Sequence, residues 1–238
     1  MLTVNHEAFS VESDLVGGRL ACPGCKGRLR PWGWARERLI RHGTGARRSL
    51  VRHRPRRGRC SGCAATHVLL EAGLAARRAD AAAVIAAAIE AKAADGTGHR
   101  PIAARLGRPA STVRGWLRAF AASAGPIAEG FTALAHRDGA DAAGLWPAPA
   151  PTPAGRALAA VAAYAGVLAA RFGVATLAWQ SAGLTAAGPF FFSAGRWQGR
   201  GQHEVALMPG IADGKGGRSA GSSWPGPSLP DLVEDRDP

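Results

Sequence analysis

Four cysteines constrain this chain more than any other feature. They come as two pairs, Cys22-Pro-Gly-Cys25 and Cys60-Ser-Gly-Cys63, and are all the cysteine in 238 residues. Each pair has two intervening residues, with glycine just before the second cysteine. That spacing lets a tight turn aim two thiolates at one point, and two such turns supply the tetrahedral sulfur set that zinc favours. Four thiolates leave no open position for water, so the expectation is one structural Zn2+ held by Cys22, Cys25, Cys60 and Cys63. A lone Cys-x-x-Cys would invite a redox dithiol; two pairs with no other cysteine favour the metal. His67, four residues after Cys63, is either an extra donor or a polar neighbour of the site.

The 34 residues between the pairs exceed the usual ~15–20 and are expected to form a hairpin. Arg28–Arg41 supplies one strand or two short ones, His42–Ala46 the turn, and Arg47–Arg59 the return strand. Pro31, Gly33 and Pro55 mark breaks or edge positions. The predicted unit is a zinc ribbon over residues 20–70, too small to hold together without its metal.

Charge is concentrated in the same stretch. The chain carries 27 Arg, 3 Lys and a net charge of +13. Coding bias accounts for the abundance of Arg and Ala but not for its distribution. Residues 1–63 hold 14 basic and 4 acidic side chains, residues 64–140 hold 9 and 6, and residues 141–238 hold 7 and 7. Between Arg19 and Cys63 the only acid is Glu37. A positive field at one end points to a polyanionic partner. On the return strand Arg52, Arg54 and Arg56 fall on one side, with Arg57 beyond the Pro55 break; Arg47 and Arg48 lie beside the turn. These are the candidate phosphate contacts, since a guanidinium fork binds phosphate in bidentate fashion. Trp32 and Trp34 either cover the ribbon core or stack on bases.

Residues 79–136 read as helices. Ala79–Asp95 has Val84, Ile85 and Ile89 on an apolar stripe, and Gly96-Thr97-Gly98 ends it. Pro101 suits the first turn of the next helix. Ile102 and Leu106 lie one turn apart, Ala103 is small where helices cross, and Gly107 permits a left-handed end. Val113, Trp116 and Leu117 form the inner face of a following helix. This is the pattern of a helix-turn-helix whose second helix enters the major groove of double-stranded DNA. Its outer positions are Ala110, Ser111, Arg114, Gly115 and Arg118. Ser111 and Thr112 meet phosphate or bases, Arg114 suits guanine, Arg118 suits the backbone, and Arg108 is a further candidate DNA contact.

The fold class expected is α+β: a zinc-ribbon hairpin, an all-α helix-turn-helix domain, further Ala-rich helices and a disordered tail. Residues 1–19 read as a flexible lead, 146–155 (WPAPAPTPAG) as an extended Pro/Ala linker, 156–192 as an Ala-rich helical segment, and 195–238 as a Gly/Ser/Pro-rich disordered tail. Met1–Ser10 has no signal-peptide pattern. Ala157–Ala170 is short of the ~20 apolar residues of a membrane span. A cytoplasmic, nucleoid-associated protein with reduced thiols is expected.

The ribbon pattern Cys-Pro-x-Cys…Cys-x-x-Cys-x-x-Thr-His, the run Thr66-His67-Val68-Leu69-Leu70, and the helical segment Ile102–Leu117 resemble the N-terminal DNA-binding regions of bacterial transposases. More closely, they are similar to a family of zinc-ribbon/helix-turn-helix proteins from high-GC bacteria, over roughly residues 20–190. The resemblance implies DNA binding at mobile-element ends or in transcription regulation. An intact transposase needs three metal-binding carboxylates on an α/β domain. After residue 140 the acids are Asp141, Glu204, Asp213, Asp231, Glu234, Asp235 and Asp237, four of them in the last eight residues, so no enzyme is expected. The alternative is an assembly adaptor docking on a transposase or polymerase through the ribbon and C-terminal helices, with Asp231–Asp235 as docking peptide or solvated tail. RNA binding by the hairpin is a third reading.

Overall fold

A computed structural model of the chain describes residues 1–4 and 8–193. The expected disordered tail over 195–238, with its acidic end, lies outside the described residues.

The fold is mixed α+β. Strand β1 (Leu2–Val4) and helix α1 (Ala8–Val16) open the chain. Strands β2 (Leu29–Trp34), β3 (Arg38–His42), β4 (Ser49–His53), β5 (Arg56–Cys60) and β6 (Thr66–Glu71) follow. They make a four-stranded sheet in the order β1-β6-β5-β2 and a separate β3-β4 ribbon. The first arm is thus two strands, and both arms break at one level, where Ala35 donates its backbone N–H to the Pro55 carbonyl at 2.8 Å. A 3-10 turn, Gly45–Arg47, closes the distal hairpin.

The flexible lead expected over 1–19 is corrected. β1 pairs in parallel with β6, Leu2 opposite Leu69. Val11 and Leu15 of α1 are buried with Val4, Leu20, Cys22, Leu29, Cys60 and Leu69 in a small apolar cluster. A Cβ on Gly58 of β5 would lie 3.1 Å from a Leu15 methyl, so glycine there lets α1 sit down on the strand. The lead reads as polar because only one face of a two-turn helix needs apolar side chains.

Helices α2 (Ala82–Asp95), α3 (His99–Leu106), α4 (Ala110–Ala122), α5 (Ala124–Arg137), α6 (Ala140–Ala143), α7 (Pro153–Phe172) and α8 (Trp179–Ala187) make up the rest. α2 starts three residues later than its apolar run, because residues 79–81 bond to Arg41 of β3 in extended form. Gly107 takes a left-handed conformation (φ +63°) between α3 and α4, and its N–H caps α3. That conformation costs glycine nothing and a β-carbon residue about 1 kcal/mol or more.

The Pro/Ala stretch does not separate the helical segments as a spacer would. Thr152 caps α7 through its Oγ1, which accepts from the Gly155 N–H at 3.0 Å, and the helix begins at Pro153 rather than Arg156. Residues 174–178 precede α8 as irregular chain. Tyr164 of α7 meets Phe131 of α5 edge-on at 5.7 Å, and Trp179 of α8 meets Phe120 of α4 at 6.1 Å. One apolar cluster therefore runs from Ile40 of β3 through α2–α5 to α7, α8 and Phe192. α7 is long and apolar enough to cross a membrane, but half of its apolar stretch is buried in this core.

Candidate metal centre and nucleic-acid face

The two cysteine turns have the same backbone wiring. Lys26 donates to the Cys22 carbonyl (2.9 Å) as Ala64 does to that of Cys60 (3.1 Å). Cys22 donates to the Gly27 carbonyl (2.7 Å) as Cys60 does to that of Ala65 (2.9 Å). The residue after each second cysteine is left-handed, Lys26 at φ +63° and Ala64 at +60°. β2 and β5 place the turns side by side, Leu29 opposite Cys60.

All four sulfurs lie within 4.8 Å of one another, with Cys22 and Cys63 at 3.7 Å and Cys25 and Cys60 at 3.3 Å. A tetrahedral Zn–S4 site with bonds near ~2.3 Å has sulfurs about 3.8 Å apart. Cys22 and Cys60 are buried while Cys25 and Cys63 are exposed. The backbone N–H of Cys63 draws the Cys60 thiol down to about 6, assisted by the Gly62 N–H at 3.3 Å. The Ala65 N–H pulls the Cys63 thiol the same way, but the sulfurs of Cys25 and Cys60 outweigh it and push it up to about 11. Four sulfurs this close do not ionise together without a cation, and the donor set fits a soft divalent metal.

His67 is not among the four. Its Nε2 lies 3.4 Å from the Cys22 Sγ, so it meets a ligand sulfur from outside. Burial, then the N-terminal amine, lowers its pKa. Gly27 supports the site in a way its spacing did not announce: a Cβ there would lie 2.9 Å from the Cys60 Sγ and 3.3 Å from the Cys25 Sγ. Gly27→Ala is expected to lower metal affinity roughly 10–100-fold, the range for disturbed outer-shell contacts. Competition against a chromophoric chelator measures it, and unchanged affinity would contradict the described packing of sulfurs on that glycine.

The α4 face follows expectation except at Ala110, which was expected outside and packs, partly buried, against the helical core. Val113, Trp116 and Phe120 are buried, and Ser111, Arg114, Gly115 and Arg118 are exposed, with Thr112 partly so. Arg108 does not. It was expected to contact DNA, yet its side chain is 3% exposed and its Nε donates to Asp80 Oδ1 at 2.5 Å. Arg41 of β3 grips the same carboxylate through its Nε and Nη2, at 3.1 and 2.8 Å. Arg108 also reaches the Gly43 carbonyl at the hairpin tip, 3.3 Å away. Asp80 thus ties the distal hairpin to the α3–α4 turn. No local signal marked it, because its partners stand 39 and 28 residues away.

Arg56 is corrected as well. Its Nε and Nη2 donate to Glu12 of α1, at 2.5 and 2.8 Å, its Nη1 donates to the Gly33 carbonyl at 2.7 Å, and its guanidinium lies 4.6 Å over the Trp34 ring. The hydrogen bond from Arg56 holds the Glu12 carboxyl below its usual pKa. No acid stands close to Arg56 in sequence, and its partner comes from the supposed lead, 44 residues away. Arg52 is exposed and shares an ion pair with Glu37 at 3.1 Å. Arg47, Arg48 and Arg54 are exposed and Arg57 is partly so. Arg48 folds over the turn: its guanidinium and Cδ lie where a Gly107 β-carbon would project. Trp32 and Trp34 are each 49% exposed, so neither is a core side chain.

No protein-family model matches the chain, and neither a curated protein nor a solved structure does.

Proposed function

We propose that the chain is a zinc-dependent DNA-binding protein in which α2–α4 act as a helix-turn-helix and α4 enters the major groove. One structural Zn2+ sits among the four cysteines. Ser111, Thr112 and Arg114 face bases and nearby phosphates, and Arg118 faces the backbone. Arg47, Arg48, Arg52, Arg54 and Arg57 of the ribbon meet phosphate; Arg56 and Arg108 have internal carboxylates and drop out. The role is transcription regulation or recognition of mobile-element ends, in the cytoplasm at the nucleoid, with no catalytic step assigned.

The observation that carries this reading is the exposed Ser111/Arg114/Arg118 face of a helix whose opposite face is buried, with Arg48 of the hairpin tip beside the α3–α4 turn. Duplex affinity in a mobility-shift titration is expected to fall with salt at a log–log slope of about −0.9 per neutralised phosphate. Arg114→Ala is expected to cost about 1–3 kcal/mol on the preferred site and to relax base preference there. Arg47→Ala and Arg48→Ala should weaken all sequences alike, each making the slope shallower by about 1. Binding without salt dependence, or none, overturns the proposal.

The adaptor reading draws on Leu39, Leu50 and Val51 of the distal hairpin, which are 49%, 59% and 46% exposed. A protein captured through those side chains in the absence of DNA favours it.

A further inference from the structure

The sheet β2-β5-β6 has two unlike faces. Leu29, Gly58 and Cys60 look toward α1 and the metal turns, and His67 shares their side of the register. The other face carries Arg30, Arg59 and Thr66 in one cross-strand row and Arg57 and Val68 in the next. A bulge between Pro31 and Trp34 then separates the two tryptophans. Trp34 stands opposite Arg56 on the α1 side, whereas Trp32 stays on the arginine face. There the Arg59 guanidinium stacks 4.5 Å from the Trp32 ring, and half of Trp32 remains exposed.

Two features of this face lack an internal reason. Arg30 stands directly opposite Arg59, a like-charge pairing that destabilises a sheet. Among the described residues no carboxylate pairs with Arg30, Arg57 or Arg59. A large indole is left half in water on a strand of which Leu29 alone is buried. An anion answers the arginines but gains nothing from the indole. A ligand with both a negative backbone and a flat apolar ring answers both. Duplex DNA offers the first only, since its ring faces are stacked away.

We propose that this face is a second nucleic-acid site, which binds unpaired nucleotides of single-stranded DNA. A base stacks on the open part of Trp32, the Arg59 guanidinium completes the stack, and Arg30 and Arg57 hold flanking phosphates. The choice of DNA over RNA rests on the proposed role of α4; the stacking site itself does not.

The test uses full-length, metal-loaded protein and fluorescence anisotropy with a labelled 12-nucleotide oligothymidylate, a 12-nucleotide oligouridylate and a mixed-sequence duplex. Wild-type protein should bind the oligothymidylate. Trp32→Ala should weaken that binding roughly 10–100-fold, the effect of losing one stacked base, and change duplex affinity by less than about threefold. Trp32→Phe should recover most of the loss, which separates stacking from damage to the fold. Arg114→Ala should leave oligothymidylate binding unchanged. Absent oligothymidylate binding, binding that survives Trp32→Ala, or equal loss on the duplex each overturns the site. Tighter binding of oligouridylate overturns the choice of DNA. A protein that fails to bind duplex but holds oligothymidylate through Trp32 removes the α4 reading and leaves this one standing.

Discussion

Stripping the metal from the purified protein is expected to unfold the base of the ribbon and spare the helices. Most buried apolar side chains among the described residues fall into two clusters. The one around the cysteine turns has eight buried members, and two of them are Cys22 and Cys60 themselves. The other spans the helical part and includes no cysteine. Structural zinc contributes about 10–16 kcal/mol in small zinc-binding peptides, more than a core of that size supplies. With chelator, trypsin should cut at Arg28, Arg57 and Arg59. The helical signal in circular dichroism should persist, and the distal hairpin should resist cleavage because Ile40 is seated in the helical core. Cys22→Ser should reproduce the pattern, and duplex affinity should fall at least tenfold in both. Metal analysis should return one zinc per chain. Unchanged protease resistance after chelation would mean that the cysteines do not hold the ribbon.

Asp80→Ala is expected to have the second-largest effect. Asp80 is 2% exposed, and Arg108 beside it is 8% exposed. Removing the carboxylate leaves a buried guanidinium without its counter-charge, which costs about 3–5 kcal/mol. In a chain of this size that lowers Tm by roughly 10 °C or more. The double variant Asp80→Leu/Arg108→Met should recover much of the loss, since replacing a whole buried ion pair by apolar side chains is often neutral. Thermal unfolding of the wild type, both singles and the double closes the cycle. Additive effects would show that the two side chains do not act as a pair. Arg41 contributes less, because its side chain is 40% exposed and water screens it.

The parts of the fold legible in the sequence were those whose cause is local. Cys-x-x-Cys spacing makes a turn that converges two sulfurs, and the same backbone wiring recurs at both pairs. Gly107, Val113 and Trp116 adopt the roles their spacing implies, one left-handed and two buried. The Pro55 break also came through, because proline limits the strand wherever it stands. The misread positions share the opposite property. Arg56 and Arg108 looked like free cations because their acids, Glu12 and Asp80, lie 44 and 28 residues away. α1 was read as a lead because Val11 and Leu15, buried one turn apart, make too short an apolar stripe to stand out in sequence. Trp32 and Trp34 were assigned one common alternative, core or contact, yet the bulge between them puts them on opposite faces.

What the amino-acid sequence determined alone was the inventory: four sulfurs able to meet one metal, a block of arginine with little acid near it, and a helix with one apolar and one basic face. Short-range sterics and periodicity settle such things, and they act over a few residues. Tertiary structure alone decided which arginines remain available to a partner and how the hairpin is joined to the helices. Those outcomes depend on charges brought together across tens of residues, where burial makes an ion pair obligatory and no local pattern records it.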